Sequence, residues 1–177
     1  LHGLGRLSNS MSELETKLAP AGYSVANIKY PSRSHPIDVL AVDAIGRGLT
    51  QCRGERKSEI HFITHSLGGI LLRYYLSQNT IPELGRVVML GPPNQGSEIV
   101  DGLLPLPGFG FIGGPAGVAL GTGEGSIIDS LGPVDFDLGI IAGNYTVNPV
   151  LSGIIPGPDD GKVSVENTRL EGMNDHI

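Results

Sequence analysis

The chain has 177 residues, 40% apolar and 17% charged, with a net charge of −6. That length suits one domain with a substantial core, and the acidic balance argues against a nucleic-acid surface, which needs a basic excess. Cys52 is the single cysteine, so no intrachain disulfide forms, and the five histidines show neither H-E-x-x-H nor H-x-E with C-x-x-C, so neither a zinc site nor another metal is indicated.

Leu1-His2-Gly3-Leu4-Gly5-Arg6 opens in mid-motif, as a His-Gly loop of the kind a strand feeds in α/β proteins; that strand is expected upstream of residue 1. Gly3-Leu4-Gly5 lacks the third glycine of a dinucleotide fingerprint, because Ser8 stands in its place. Ser10-Met11-Ser12-Glu13 reads as a capping box, with Met11, Leu14 and Leu18 on one helical face until Pro20 and Gly22 end it. Tyr23 to Tyr30 alternates as a strand, and Pro31-Ser32-Arg33-Ser34 turns the chain. Pro36 suits a first helical residue, and Ile37, Leu40, Ala41, Ala44, Ile45 and Leu49 supply an apolar face. His35 beside that start reads as a capping or surface residue, and a charged linker, Arg53 to Lys57, follows the helix.

The next stretch organises the rest. A β-branched, apolar run from Glu59 to Thr64 predicts a buried strand and Leu67 onward predicts a helix, so Ser66 falls on the sharp turn between them. Such a turn lifts the hydroxyl above the strand ends and tolerates only small neighbours, here Gly68 and Gly69. The helix start aims free N–H groups at the point where an oxyanion would form. Thr64 replaces the usual first glycine of the pentapeptide, and the competing reading of Ser66 is an ordinary helix N-cap. His61, inside the strand, reads as a core or edge histidine.

Arg86 to Leu90 is a further short strand, ending in Gly91-Pro92-Pro93-Asn94-Gln95-Gly96-Ser97. Strands separated by helices of this length form a parallel sheet, whose ligands sit at the carboxyl ends of the strands. Residues 98–137 depart from the alternation as a Gly/Pro-rich, cap-like insertion carrying Leu103, Leu104, Leu106, Phe109, Phe111 and Ile112. Gly102 to Gly123 holds no charged residue, but its prolines and glycines oppose a membrane-spanning helix. Gly121 to Ser126 lacks the lysine of a phosphate loop. Leu138 to Ala142 is another strand, leading to Asp159-Asp160-Gly161-Lys162-Val163. A carboxylate followed by glycine beyond a late strand is where the acid of a Ser-Asp-His order belongs, with Asp160 ahead of Asp159; the alternative is a plain Asp-Gly turn.

With these motifs in place, the chain resembles the α/β-hydrolase superfamily, in its bacterial lipase and esterase branch. The likeness rests on His2-Gly3-Leu4, the elbow Thr64-His65-Ser66-Leu67-Gly68, Asp160-Gly161 with Val163, and the Gly91 to Ser97 loop. It implies an α/β fold in which a parallel sheet is flanked by helices, here as a single partial domain over 1–177 with the cap-like insertion at about 98–137. It also implies a nucleophile at Ser66, an acid at Asp160, an oxyanion hole from the backbone N–H groups of Leu4 and Leu67, and no cofactor. In relatives of this kind the catalytic histidine is expected a few residues past Ile177, with His176 as a fallback; His65 is turned away by the elbow. The chain therefore reads as truncated at both ends, lacking the first core strands and the last strand and helix. A gap is expected between the 23–30 strand and the elbow strand, with reduced stability, and little turnover is expected without the base.

Two functions follow. One is a serine ester hydrolase acting on small or lipid-like acyl esters under a mobile cap, with an acyltransferase or amidase open to the same nucleophile. The other is a non-catalytic α/β module that binds a hydrophobic ligand or partner. Compartment, oligomeric state and acyl length are not fixed by the sequence.

Overall fold

A computed structural model describes residues 1–54, 59–123, 126–146 and 149–177. Its elements run α1 (Ser12–Leu18), α2 (Ile37–Gly54), β1 (Ile60–His65), α3 (Leu67–Gln78), β2 (Leu84–Leu90), α4 (Glu98–Leu103), α5 (Phe109–Val118), β3 (Leu138–Ile141), α6 (Pro149–Ser152), α7 (Val165–Thr168) and β4 (Asp175–His176). The four strands form one sheet in the order β1-β2-β3-β4, and every neighbouring pair is parallel.

The apolar periodicities produce the core. The predicted α2 face is buried, from Ile37 through Leu49, and packs against Leu67, Ile70 and Leu71 of α3. Val87 and Met89 of β2, with Leu138 and Ile140 of β3, alternate inward to meet Ile45, Leu49 and Leu72. Their neighbours on the opposite face, Val88 and Gly139, are half-buried and Ile141 is exposed. Helices α2 and α3 thus cover one face more fully than the other, and the sheet is less symmetrically buried than is usual for parallel strands.

Several expectations are corrected. Tyr23 to Tyr30 is not a strand: it belongs to no ladder, since alternation alone does not supply a hydrogen-bonding neighbour. Between it and β1 lies a cleft of about 1110 Å³, lined by Ala26, Ile28, Ile60, Phe62 and Val88 among others. This is where the gap in the ladder was expected. At its far end Leu1 pairs with β1 as a parallel strand residue would, donating from its nitrogen to Ile63 O at 2.8 Å and accepting from His65 N at 3.0 Å.

The capping box does not form either. Residues Ser8–Met11 make a 3-10 turn, Ser10 Oγ donates to Leu7 O, and α1 begins at Ser12 without a side-chain cap. Arg53 of the expected charged linker belongs to α2 and pairs with Glu83 at 2.9 Å; residues 55–57 of that linker lie outside the described residues. Within residues 98–137, α4 and α5 form despite the glycines and prolines. Gly114, at φ +66, breaks α5 just before Pro115, and its missing Cβ leaves room for the carbonyl of Arg33. Among the described residues no helix is long and apolar enough to cross a membrane.

Candidate active site

Ser66 joins β1 to α3 with φ 51 and ψ −121, the only positive φ outside glycine among the described residues. A non-glycine residue held there costs on the order of 1–3 kcal/mol and persists only where its surroundings impose it. Those surroundings are specific. Ser66 N–H donates to Leu90 O at 2.9 Å, Gly69 N–H returns to Ser66 O at 2.9 Å, and the turn sits at the carboxyl ends of β1 and β2. A Cβ at Gly68 would lie 2.9 Å from Leu1 O, and one at Gly69 would lie 3.1 Å from Met89 Sδ. A side chain at 68 would have to displace backbone, whereas one at 69 would press on side chains that must give by a few tenths of an ångström.

The His-Gly loop is locked from below by His2. Its ring is fully buried, stacks on Tyr30 at 3.9 Å, and lies 3.0 Å from Gly3 O through Nδ1 while Nε2 accepts from Tyr30 N–H at 3.3 Å. An acceptor at Nε2 requires the neutral imidazole with its hydrogen on Nδ1. Burial agrees, holding the His2 pKa below the ordinary 6.5. The Tyr30 hydroxyl, donating to His2 O, completes the clamp.

The clamp presents Gly3 to the elbow. A Cβ on Gly3 would stand 3.2 Å from Ser66 Cβ and 2.7 Å from His65 Nδ1. Gly5 N–H is taken by Ser32 Oγ and Arg6 N–H by Gly3 O, whereas Leu4 N–H has no acceptor among the described residues. Leu67 opens α3, so its N–H is one of the helix's unpaired first-turn donors. The two N–H groups expected from sequence thus belong to backbone segments that flank Ser66.

Asp160 and Asp159 have different surroundings. Asp159 is buried and committed, accepting from Ser152 Oγ and Gly161 N, both at 2.6 Å. Asp160 uses Oδ1 for Lys162 N (2.9 Å) and Val163 N (3.0 Å), which leaves Oδ2 without a donor among the described residues. A Cβ on Gly91, just past β2, would lie 3.2 Å from that Oδ2, and one on Gly143, just past β3, 2.8 Å from Asp160 Cβ. Asp160 is therefore at the same sheet edge as Ser66. The His65 pKa is lowered mainly by burial and then by Lys162 and Arg6, while Asp160 opposes the shift.

His176 is engaged elsewhere. Its Nε2 lies 2.8 Å from Thr168 Oγ1, and no hydrogen bond joins it to Ser66 or Asp160 among the described residues. The chain runs on to Ile177, whose carbonyl accepts from Ala142 N at 2.7 Å, next to Gly143 and hence beside Asp160.

A polar hub behind the site was not anticipated from sequence. Buried Arg73 of α3 donates to Asn94 O (3.0 Å), Asn94 Oδ1 (3.2 Å) and Gly132 O (2.8 Å), and burial lowers its pKa to about 10. Asn94 Nδ2 in turn donates to Thr168 O at 2.8 Å, and Ser97 Oγ to Lys162 O at 2.7 Å. The Gly91 to Ser97 loop so ties the elbow helix to the Asp160 loop. Asn94 within that loop was the available signal; no sequence motif marked Arg73.

Fold and elbow together define the chain's class: it has the α/β-hydrolase fold. Among solved structures it is similar to the lipase BlEst2 of Bacillus licheniformis in its mature form, with TM-score 0.72, 18% identity, 99% of this chain and 79% of that one covered. It also resembles phospholipase PlaB of Legionella pneumophila (0.68, 20%, 96% and 44%) and the lin2722 product of Listeria innocua (0.53, 16%, 100% and 80%). The chain thus spans less than half of the PlaB chain. No protein-family profile matches it, and no curated protein does.

Proposed function

We propose that the chain is the core of a serine ester hydrolase, with Ser66 as nucleophile, Asp160 as the acid and the N–H groups of Leu4 and Leu67 as oxyanion donors. The observation that carries the reading is the strained backbone of Ser66, held above the sheet against Gly3. A serine hydroxyl attacks an ester carbonyl once an imidazole accepts its proton; the tetrahedral oxyanion needs two donors, each worth about 3 kcal/mol in the transition state. Collapse releases the alcohol and leaves an acyl-enzyme, which water cleaves by the same route.

We take the base to be a histidine beyond Ile177; the reading is supported by the bond from Ala142 N to Ile177 O, next to Gly143 and Asp160, and by the engagement of His176 with Thr168. Residues 1–177 alone then turn over little. Lipid-like esters suit the insertion: a Cβ on Gly117 of α5 would lie 2.9 Å from Leu4 Cδ2, so α5 packs on the oxyanion loop, while Leu104, Leu106, Phe111 and Ile112 are exposed. The test is hydrolysis of p-nitrophenyl butyrate and palmitate by the chain continued past Ile177. Ser66→Ala is expected to abolish turnover; unchanged hydrolysis in that variant removes the mechanism.

A further inference from the structure

Beside the oxyanion loop lies a second cavity of about 170 Å³, walled by Gly5, Arg6, Tyr30, Ser32, Arg33 and Ser34 with two neighbouring residues. Backbone turns build it. Arg6 N–H closes onto Gly3 O, Ser34 N–H closes onto Pro31 O, and Gly5 N–H joins the two loops through Ser32 Oγ. Gly5, at φ +64, brings its loop near Arg33, whose Cδ and Nε would lie 3.9 Å from a Cβ at that position. Both arginines line the cavity as a result.

Their charge is uncompensated. Among the described residues neither Arg6 nor Arg33 pairs with a carboxylate, a condition shared with Lys29, Arg73, Arg86 and Lys162, whereas Lys17, Arg47, Arg53 and Arg169 do pair; what sets Arg6 and Arg33 apart is that both line this one cavity. Arg33 makes one long bond, 3.4 Å from Nη1 to Ile112 O. Ser32 is buried and accepts from Gly5 N–H, which leaves its own hydroxyl hydrogen to donate; Ser34 is exposed. Two guanidinium groups and two hydroxyls around a small cavity form a donor set suited to a tetrahedral anion. The location is also informative: Gly5 follows Gly3 by two residues, at most ~8 Å along the chain, and Gly3 touches Ser66.

We propose that this cavity binds a phosphate group of the substrate, so that the ester cleaved at Ser66 is an acyl ester of a phosphorylated alcohol held by Arg6 and Arg33. The proposal rests on the ester-hydrolase reading for its acyl half. Water and the ester give the carboxylic acid and the free phosphorylated alcohol; the phosphate is gripped and no bond to phosphorus changes. The neighbouring helix supports this, because the carbonyl of exposed Ile112 accepts from Arg33 and so sets an apolar side chain beside a cationic one.

Calorimetric titration of the Ser66→Ala chain separates this from hydrolysis. The ligands are 1-hexanoylglycerol 3-phosphate, 1-hexanoylglycerol and inorganic phosphate. The phosphorylated ester is expected to bind at least tenfold more tightly than the neutral one, with the preference shrinking as salt rises. R6Q/R33Q is expected to erase the preference and R33K to keep most of it. Should the double variant fail to fold, R6Q alone serves, since the Arg6 side chain has no hydrogen-bond partner among the described residues. Equal affinity for the two esters, or a preference that survives loss of the arginines, overturns the proposal. Inorganic phosphate binding as tightly as the phosphorylated ester also overturns it, by showing a site for the free anion. Because Ser66 is absent from the binding assay, failure of the ester-hydrolase mechanism leaves these outcomes readable.

Discussion

Thr64 shows how one residue departs from the elbow pattern and what that costs. Its side chain is buried, and Oγ1 has no hydrogen-bond partner among the described residues, lying 3.3 Å from where a Cβ on Gly69 would be. An orphaned buried hydroxyl costs about 1–3 kcal/mol, so Thr64→Val, which keeps the shape and removes the polar atom, is expected to raise the unfolding free energy by about 1 kcal/mol in a denaturant titration. His2 gives a pH dependence at the same scale. Its folded pKa is lowered from 6.5, so the unfolded state binds more protons below pH 6.5. Stability is therefore full above that pH and falls as pH drops toward the folded pKa, with His65 and His176 shifting in the same direction. Denaturation midpoints measured from pH 7.5 to 5 are expected to decline, and His2→Gln is expected to flatten part of the slope. The His-Gly motif was legible in the sequence; the tautomer was not, because it depends on Tyr30, twenty-eight positions away.

At the level of elements, the β1–α3 turn was legible because strand and helix periodicities meet at Ser66 and the glycines follow at once. The reason for Gly68 was hidden, since it lies in a contact with the backbone of Leu1 and His2. Gly68→Ala is expected to destabilise the chain by about 2 kcal/mol and to displace the Leu1 to Gly5 loop, and under the proposed mechanism to lower kcat more than it raises KM; thermal melting, and steady-state kinetics of the chain continued past Ile177, check the two. The α1 start was misread because Ser10 and Glu13 had the spacing of a capping box, while the chain used Ser10 to close a 3-10 turn. The insertion was read as loop or cap from its composition, and its helices form where α5 can pack on Leu4 and its break can rest against Arg33.

Across the whole molecule, the cleft beside β1 is the feature with the clearest physical signature. Parallel pairing with β2 uses the even residues, as the bonds of Ile60 N to Glu83 O and Ser66 N to Leu90 O show. The N–H groups of His61 and Ile63 therefore face the cleft, and only His65 N–H on that side meets Leu1. Amide hydrogen exchange is expected to alternate along β1, fast at 61 and 63 and slow at 62 and 64; uniform protection would mean that the cleft is closed in solution. Alternation at Tyr23 to Tyr30 suggested a strand because sequence records side-chain faces, whereas a ladder needs a neighbour in space.

The most direct test of the central claim is the modification of Ser66 itself. The chain is incubated with a p-nitrophenyl alkylphosphonate and imidazole, which stands in for a base, and the tryptic peptide spanning 58–73 is weighed. A phosphonyl adduct on Ser66, formed faster with imidazole and absent from Ser66→Ala, is the predicted result. Labelling at another residue, or at a rate that Ser66→Ala leaves unchanged, contradicts the account.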